Sequence, residues 1–137
     1  MKSTIIEALV VAALITGCTM TYDRGPHART INYDEGGYVT EYALKALKTK
    51  TVRFNGWCAS ACTLYLSVKD KCATEAAELA FHRAWGGSQA DNDEASRHLM
   101  GSYPQWVRNW INARGGLTDE LLVMPASHIL KHMEKCK

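Results

Sequence analysis

At the centre of the chain the sequence reads Trp57-Cys58-Ala59-Ser60-Ala61-Cys62-Thr63-Leu64-Tyr65-Leu66. Small residues here run into large apolar ones, a pattern most simply explained by a tight turn that leads into a buried helix. β-prone residues 51–54 precede the stretch and end at Asn55-Gly56, and residues 79–82 predict another short strand with His82 at its end. Short strands that alternate with helices predict a single α/β domain.

The segment before this stretch predicts a strand, a turn and a helix. Residues 30–33 are β-prone, and the turn Asp34-Glu35-Gly36-Gly37 breaks the strand. Apolar side chains recur at helical spacing between residues 38 and 49, so we expect a helix there.

The segment after the centre is expected to be mainly helical. Residues 69–71 form a polar break, and residues 86–94 are rich in Gly and Asp, which predicts a flexible loop. A helix with an apolar stripe is expected over residues 102–114. A last helix is expected to begin near Thr118 and to be interrupted at Pro125.

The composition is that of a chain that folds around a core. Of its 137 residues, 47% are hydrophobic and 22% are charged, which argues against disorder and fibrous repeats. Sixteen Lys and Arg against fourteen Asp and Glu leave a formal charge of +2, far below that of typical nucleic-acid-binding domains. The sequence has no phosphate-binding loop and no dinucleotide fingerprint, so no such cofactor is expected. His128 and His132 could hold a metal only with an outside ligand, and no metal is expected.

The first residues have the pattern of a bacterial secretory signal. Lys2 gives a positive start, and residues 8–17 are an uncharged, mostly apolar run that is too short to cross a bilayer. The run ends in Ile15-Thr16-Gly17-Cys18, which resembles the lipobox of bacterial lipoproteins. That resemblance implies cleavage before Cys18 and a lipid on its sulfur. The alternatives are a plain signal peptide or a buried amino-terminal helix whose Cys is incidental. Glu7 counts against the lipoprotein signal, because such signals are rarely acidic at that place.

The chain is therefore expected to have three parts: a signal peptide at residues 1–17, a tether at 18–29 and a domain at 30–137. The lipobox resemblance implies a mature chain in the cell envelope that faces the periplasm and is held by its lipid. Thr19 resembles the residue type that accompanies sorting to the outer membrane.

Export would place the other four cysteines in an oxidising space, where disulfides form. They are Cys58, Cys62, Cys72 and Cys136, and three pairings are possible. One pairing joins Cys62 to Cys72 and Cys58 to Cys136; the pair Cys58–Cys62 competes with it. A thiol redox site is a weaker interpretation, because three residues rather than two separate Cys58 and Cys62.

Three segments together offer what acyl transfer needs: a hydroxyl on a sharp turn, a base, and backbone amides for an oxyanion. Ser60 lies between two alanines that leave it open to a substrate. His82, at the end of a strand, is a candidate general base. Gly36-Gly37 can lay its amides against a ligand because no Cβ intervenes.

The order of these segments resembles the proteolytic subunit of the Clp protease and its exported relatives in the Clp/crotonase superfamily. The resemblance covers residues 31–82 and implies a Clp/crotonase-like α/β domain, truncated on its N-terminal side, with short parallel strands and flanking helices. It implies that Ser60 is the nucleophile, that His82 is the base, and that the Gly36 and Ala61 amides form the oxyanion hole. The family's third catalytic residue, an Asp, has no counterpart at residues 124–129; Asp119 and Glu120 come several residues earlier.

The expected function is an exported serine hydrolase, peptidase-like, that acts on a peptide or another acyl substrate. The alternative is a catalytically inactive periplasmic lipoprotein that binds a peptide or an envelope partner in the same cleft. The missing carboxylate favours the alternative, whereas the Ser, His and Gly-Gly favour the enzyme. The sequence indicates no particular oligomeric state.

Overall fold

The computed structural model describes residues 28–137. Its strands are β1 Ala28–Asp34, β2 Thr51–Ala59, β3 Asp70–Ala73, β4 Glu78–Phe81 and β5 Leu122–Pro125. Its helices are α1 Val39–Lys48, the 3₁₀ helix Ser60–Ser67, α2 Gln89–Ser102, α3 Gln105–Asn112 and α4 Ala126–Ile129. Residues 1–27, with the predicted signal peptide, the predicted lipidation site Cys18 and most of the predicted tether, lie outside the described part.

The strands form one open, mostly parallel sheet in the order β1-β2-β4-β5, with β3 also paired to β2. β1, β3 and β4 run parallel to β2, while β5 runs antiparallel to β4. β3 pairs with the first half of β2 and β4 with its end, so β2 is the central strand. The protein is a mixed α/β domain with flanking helices, as expected, except that its last strand is antiparallel.

The core lies between this sheet and the helices that cover it. α1 and α2 both pack against the 3₁₀ helix, whose residues Ala61 to Leu66 are all buried. α1 turns Tyr42 and Ala46 inward, which confirms the amphipathic helix predicted over residues 38–49. The predicted apolar stripe of α3 is also confirmed, because Val107, Trp110 and Ile111 are buried.

β2 is longer than the sequence predicts, because it does not stop at Asn55-Gly56 but continues to Ala59. A Cβ at Gly56 would lie 1.9 Å from the Asn32 carbonyl oxygen, so only glycine allows β1 to approach this closely. The β1–β2 register shifts between Ile31 and Tyr33, at the same place. The glycine therefore marks an irregularity within the strand pair and not its end.

The predicted loop at residues 86–94 is wrong in its second half, because α2 begins at Gln89. The Ser88 side chain accepts a hydrogen bond from the Asp91 N–H at 3.1 Å, which caps the helix. Leu99 is its only buried residue, so the apolar periodicity that predicts helices is nearly absent from α2.

The helix predicted from Thr118 to Pro125 is also wrong, because residues 122–125 form β5 and a short helix follows. Pro125 ends a strand at the edge of the sheet, where a missing N–H breaks no ladder. The polar break at residues 69–71 likewise contains the start of β3. Among residues 28–137, the structure has no helix long and apolar enough to cross a membrane.

Candidate active site

Ser60 lies at the sharp turn between β2 and the 3₁₀ helix. Its φ of 56° is the only positive value of a non-glycine residue within residues 28–137. For an L-residue this conformation costs about 1–2 kcal/mol, so it persists only where surrounding contacts impose it. A serine on a strained strand-to-helix turn has its hydroxyl exposed at the end of the sheet, as nucleophilic serines require.

Buried hydrogen bonds hold this turn in place. Thr63 Oγ1 donates to the Ser60 carbonyl oxygen at 2.5 Å and lies 2.7 Å from the Tyr103 hydroxyl. Since the Thr63 proton is directed to Ser60, Tyr103 is the donor of the second bond. Burial raises the pKa of Tyr103 well above its usual range, which keeps the phenol protonated as that donor.

A disulfide between Cys58 and Cys62 brackets Ser60, and a second joins Cys72 to Cys136. The alternative pairing of Cys62 with Cys72 and Cys58 with Cys136 is therefore wrong. Cys58 and Cys62 face each other across the Ser60 turn with Cα atoms 5.4 Å apart. The C-terminal segment instead runs beside β3, where the Cys136 N–H donates to the Ala73 carbonyl at 2.9 Å. Two disulfides are typical of an exported protein in an oxidising environment.

Gly36 packs directly against the Ser60 turn. Its φ is +83°, and a Cβ there would lie 2.6 Å from the Ala59 carbonyl oxygen and 2.8 Å from the Ala61 nitrogen. Only glycine fits this position. The Gly36 N–H, an expected oxyanion donor, donates to Asp34 Oδ1 at 2.9 Å and is thus engaged by the protein itself.

The Asp34 carboxylate contacts Gly36 and two further neighbours. Its Oδ1 also accepts a hydrogen bond from the Tyr42 hydroxyl at 2.6 Å, and its Oδ2 lies 3.5 Å from Arg29 Nη2. Burial, followed by the bond to Asp34, raises the pKa of Tyr42 far above its usual range. The carboxylate is thus a structural anchor for the Gly36 turn.

The remaining two expected site residues, Ala61 and His82, follow the carboxyl ends of β2 and β4. Ala61 is buried in the first turn of the 3₁₀ helix, where N–H groups have no acceptor within the helix. His82 follows β4 directly, and its Nδ1 lies 2.7 Å from the Arg83 carbonyl oxygen. Because a carbonyl only accepts, Nδ1 carries the proton of the neutral ring and Nε2 carries the lone pair.

The sheet register brings Gly36, Ser60 and His82 to the same end of the sheet, where the parallel strands have their carboxyl ends. Asp34 pairs with Cys58 and Ala59 pairs with Ala80, all in parallel strands. Neighbouring strands are about 4.8 Å apart, so residues just past the carboxyl ends of β1, β2 and β4 are close neighbours. Within the described residues, however, no hydrogen bond joins the Ser60 hydroxyl to the His82 ring.

A cleft of about 340 Å³ opens beside His82. Its lining contains Asp119, which the sequence analysis considered, and three residues that the sequence did not single out: Arg83, Trp85 and Leu121. The Arg83 guanidinium donates to both Asp119 carboxylate oxygens, at 2.6 and 3.4 Å. The backbone N–H of Arg83 donates to the Thr118 carbonyl at 2.8 Å. Asp119 thus lies in the same cleft as His82 and is paired with Arg83, although it precedes the position of the family's catalytic Asp in the sequence. The sequence did not predict this proximity, because it depends on the antiparallel pairing of β5 with β4.

The rings of His128 and His132 lie close together, with centroids 5.1 Å apart, although α4 ends at Ile129 and His132 follows it in a turn. The His132 ring stacks on Trp106 at 4.8 Å. Burial lowers the pKa of His128, and the positive charges of Lys131 and Arg114 act in the same direction. Among the residues that the structure describes, no group of three or more His, Cys, Asp or Glu could hold a metal ion.

A scan against protein-family models finds no match for this chain, and a search of curated proteins finds no match either.

Proposed function

We propose that the protein is an exported serine hydrolase, peptidase-like, that uses Ser60 as its nucleophile and His82 as its base. The observation that carries the proposal is the left-handed backbone of Ser60, φ 56°, at a strand-to-helix turn beside the strand that leads to His82. Such strain persists where a function needs it and is supported here by Thr63, Gly36 and a disulfide.

In this mechanism the Ser60 oxygen attacks the carbonyl carbon of a peptide or other acyl bond. His82 Nε2 takes the hydroxyl proton and then gives it to the leaving group, which leaves an acyl-enzyme on Ser60. Water, deprotonated by the same Nε2, attacks the ester and restores the free serine. The Arg83 carbonyl fixes the tautomer that this base needs, a task that an Asp performs in a Ser-His-Asp triad.

The oxyanion is assigned to the Ala61 N–H and to the Gly36-Gly37 turn. The Ala61 nitrogen lies so close to Gly36 that a Cβ on this glycine would be only 2.8 Å from it. The Gly36 proton is held by Asp34, so its use requires a small rotation of the turn, whereas the Ala61 N–H belongs to the start of a helix. Two converging amides would supply the stabilisation that acyl transfer needs.

The finer fold assignment, a Clp/crotonase-like domain truncated on its N-terminal side, belongs to the same proposal. Its support is the order of a Gly-Gly turn after β1, a serine turn after β2 and a histidine after β4. All three lie at the carboxyl ends of the parallel strands. The antiparallel β5 and the absence of a carboxylate at residues 124–129 depart from the family pattern.

The proposed location is the periplasmic side of the cell envelope, with a lipid on Cys18 and sorting to the outer membrane. The sequence at residues 15–18 supports the lipid anchor. The disulfides Cys58–Cys62 and Cys72–Cys136 support export in general.

The second candidate is a non-catalytic lipoprotein that binds a peptide or envelope partner in the His82 cleft. A specific observation favours it: within the described residues, Ser60 and His82 share no hydrogen bond, and no carboxylate bonds to the ring. Catalytic hydrogen bonds are often long in free enzymes and shorten when substrate binds, so this geometry is compatible with both candidates.

A fluorophosphonate label distinguishes the two on the oxidised full chain. We expect the wild type to be labelled and Ser60→Ala to remain unlabelled. Ser67→Ala is the matched control, because Ser67 lies at the other end of the same helix and, among residues 28–137, its hydroxyl bonds only to the Leu64 carbonyl. His82→Gln should slow labelling strongly. A correctly oxidised wild type that is not labelled would overturn the hydrolase proposal in favour of the binding protein.

A further inference from the structure

The amino end of the sheet carries a cluster of exposed lysines. Ala28, Thr51 and Asp70 are register partners, so the first residues of β1, β2 and β3 lie side by side. α1 runs back along the sheet from the Gly36 turn and therefore ends here, at Lys48. Lys50 precedes β2 and Lys69 precedes β3. We call Lys48, Lys50 and Lys69 the lysine end.

The lysine end is positively charged and open to solvent. All of its side chains are exposed, and within residues 28–137 none of them forms an ion pair. Asp70, at the start of β3, is exposed at the same end, so three lysines lie beside this one carboxylate. Lys45, one turn earlier on α1, is instead paired with Glu41 at 2.5 Å and does not contribute a free charge.

An exposed leucine lies next to these lysines on the last turn of α1. Leu47 is 83% exposed, on the side of the helix away from the buried Tyr42 and Ala46, whereas Leu44 lines a groove towards α2 together with Asp91 and Glu94. Exposed leucines bordered by lysines are typical of helices that rest in the interface of a membrane with anionic lipids.

The N-terminal segment enters the domain at this same end, since β1 begins at Ala28. Cys18 precedes it by ten residues, which span at most about 35 Å when fully extended. A domain held that close to a membrane at its amino end would meet the membrane with its lysine end first.

We propose that the lysine end, together with Leu47, is a docking surface for an anionic membrane. The lysines approach the lipid phosphates and Leu47 enters the headgroup layer. Ser60 follows the carboxyl end of β2. Because this strand has nine residues, Ser60 is about 30 Å from the lysine end, and the candidate site faces away from the membrane. This inference does not depend on hydrolase activity.

Vesicle flotation with the full 137-residue chain tests the proposal. Vesicles of phosphatidylcholine measure binding by any apolar segment, and addition of phosphatidylglycerol measures the anionic contribution. We expect stronger binding to the anionic vesicles, weakened by salt. Each lysine near such a surface contributes about fivefold, so Lys48→Glu with Lys50→Glu should lower the anionic contribution by about 25-fold or more. Leu47→Ser should lower binding to the anionic vesicles several-fold.

Arg97→Glu with Lys131→Glu is the matched control, because it makes the same change in net charge at exposed residues outside the lysine end. It should leave most of the anionic contribution intact. An equal loss in both double variants, or a wild type without preference for anionic vesicles, would overturn the proposal. So would a finding that Leu47→Ser dissolves a dimer without changing vesicle binding, since Leu47 would then cover a second copy of this chain. Circular dichroism of each variant checks that it is folded.

Discussion

The Thr63 hydroxyl is the buried link between Ser60 and Tyr103. It donates to the Ser60 carbonyl and accepts from the Tyr103 phenol, and Thr63 itself is 0% exposed. Two hydrogen bonds therefore connect Tyr103, which lies between α2 and α3, to the strained turn of the candidate nucleophile. The left-handed φ of Ser60 is stabilised from the inside of the protein, where water does not compete.

Removal of this link should be costly. Thr63→Val keeps the shape of the side chain but leaves the Tyr103 hydroxyl and the Ser60 carbonyl without their partner. We expect the free energy of unfolding to fall by about 1–3 kcal/mol, measured by urea denaturation of oxidised protein. Tyr65→Phe is the control, because within residues 28–137 the buried Tyr65 hydroxyl forms no hydrogen bond, so its removal should cost much less. Equal losses in the two variants would contradict the role of the Thr63 link.

Gly36→Ala should damage the site by steric contact as well as by backbone strain. The new Cβ would meet the Ala59 carbonyl oxygen at 2.6 Å, so the Ser60 turn must move. Gly86→Ala is the matched control: its φ is +99°, but no atom of the described residues lies within 4 Å of the added Cβ. We expect the control to lose about 1–2 kcal/mol of unfolding free energy from strain alone. Gly36→Ala should lose more and should also lose fluorophosphonate labelling. Similar values for the two would show that Gly36 is not packed against the turn.

The sequence predicted the parts of the fold whose signal is local. The amphipathic spacing of α1 and the small-to-large run around Ser60 both led to elements at the expected places. α2 was missed because its single buried residue, Leu99, leaves no periodicity to detect. β5 was missed because a short strand that pairs at long range has no local signature that excludes a helix.

The same distinction applies to the candidate site. Gly36, Ser60 and His82 could be singled out because each follows a recognisable strand. The pairing of Arg83 with Asp119 could not, because 36 residues separate them and only the antiparallel return of β5 brings them together. Disulfide connectivity is likewise a property of the folded chain, since four cysteines permit three pairings.

The two disulfides should affect stability and labelling in opposite order. The chain-entropy relation gives about 4 kcal/mol for the 64-residue separation of Cys72 and Cys136 and about 2 kcal/mol for the separation of 4 between Cys58 and Cys62. Urea denaturation should thus show the larger loss in the Cys72→Ala, Cys136→Ala variant. Labelling should fall more in the Cys58→Ala, Cys62→Ala variant, because that bond brackets Ser60. If the stability loss and the labelling loss are both larger in one variant, this division of roles is wrong.

His128 should make the protein less stable in mild acid. Burial, then the neighbouring His132, Lys131 and Arg114, lowers its pKa from the ordinary 6.5 of an unfolded chain. The folded protein thus binds fewer protons than the unfolded chain, and the stability present above about pH 6.5 is lost as the pH falls through the lowered pKa. Urea denaturation at several pH values between about 7.5 and 5 should show this loss, and it should be smaller in His128→Gln.

His98→Gln serves as the control for this titration, because His98 is exposed on α2 and away from the His128 cluster. Its pH dependence should match that of the wild type. A wild-type slope that persists in His128→Gln would assign the acid sensitivity to other groups.

Asp119 should matter more for reactivity than for stability. Its ion pair with Arg83 is largely exposed, with Asp119 at 75% and Arg83 at 43%, and such pairs contribute at most about 1 kcal/mol. The pair nevertheless fixes Arg83, whose carbonyl holds His82 Nδ1 and thereby sets the base tautomer. Asp119→Asn should therefore leave urea denaturation nearly unchanged and slow fluorophosphonate labelling several-fold. Glu120→Gln, one residue along in the same exposed segment, should change neither. Unaltered labelling in Asp119→Asn would mean that the His82 ring is oriented without help from this ion pair.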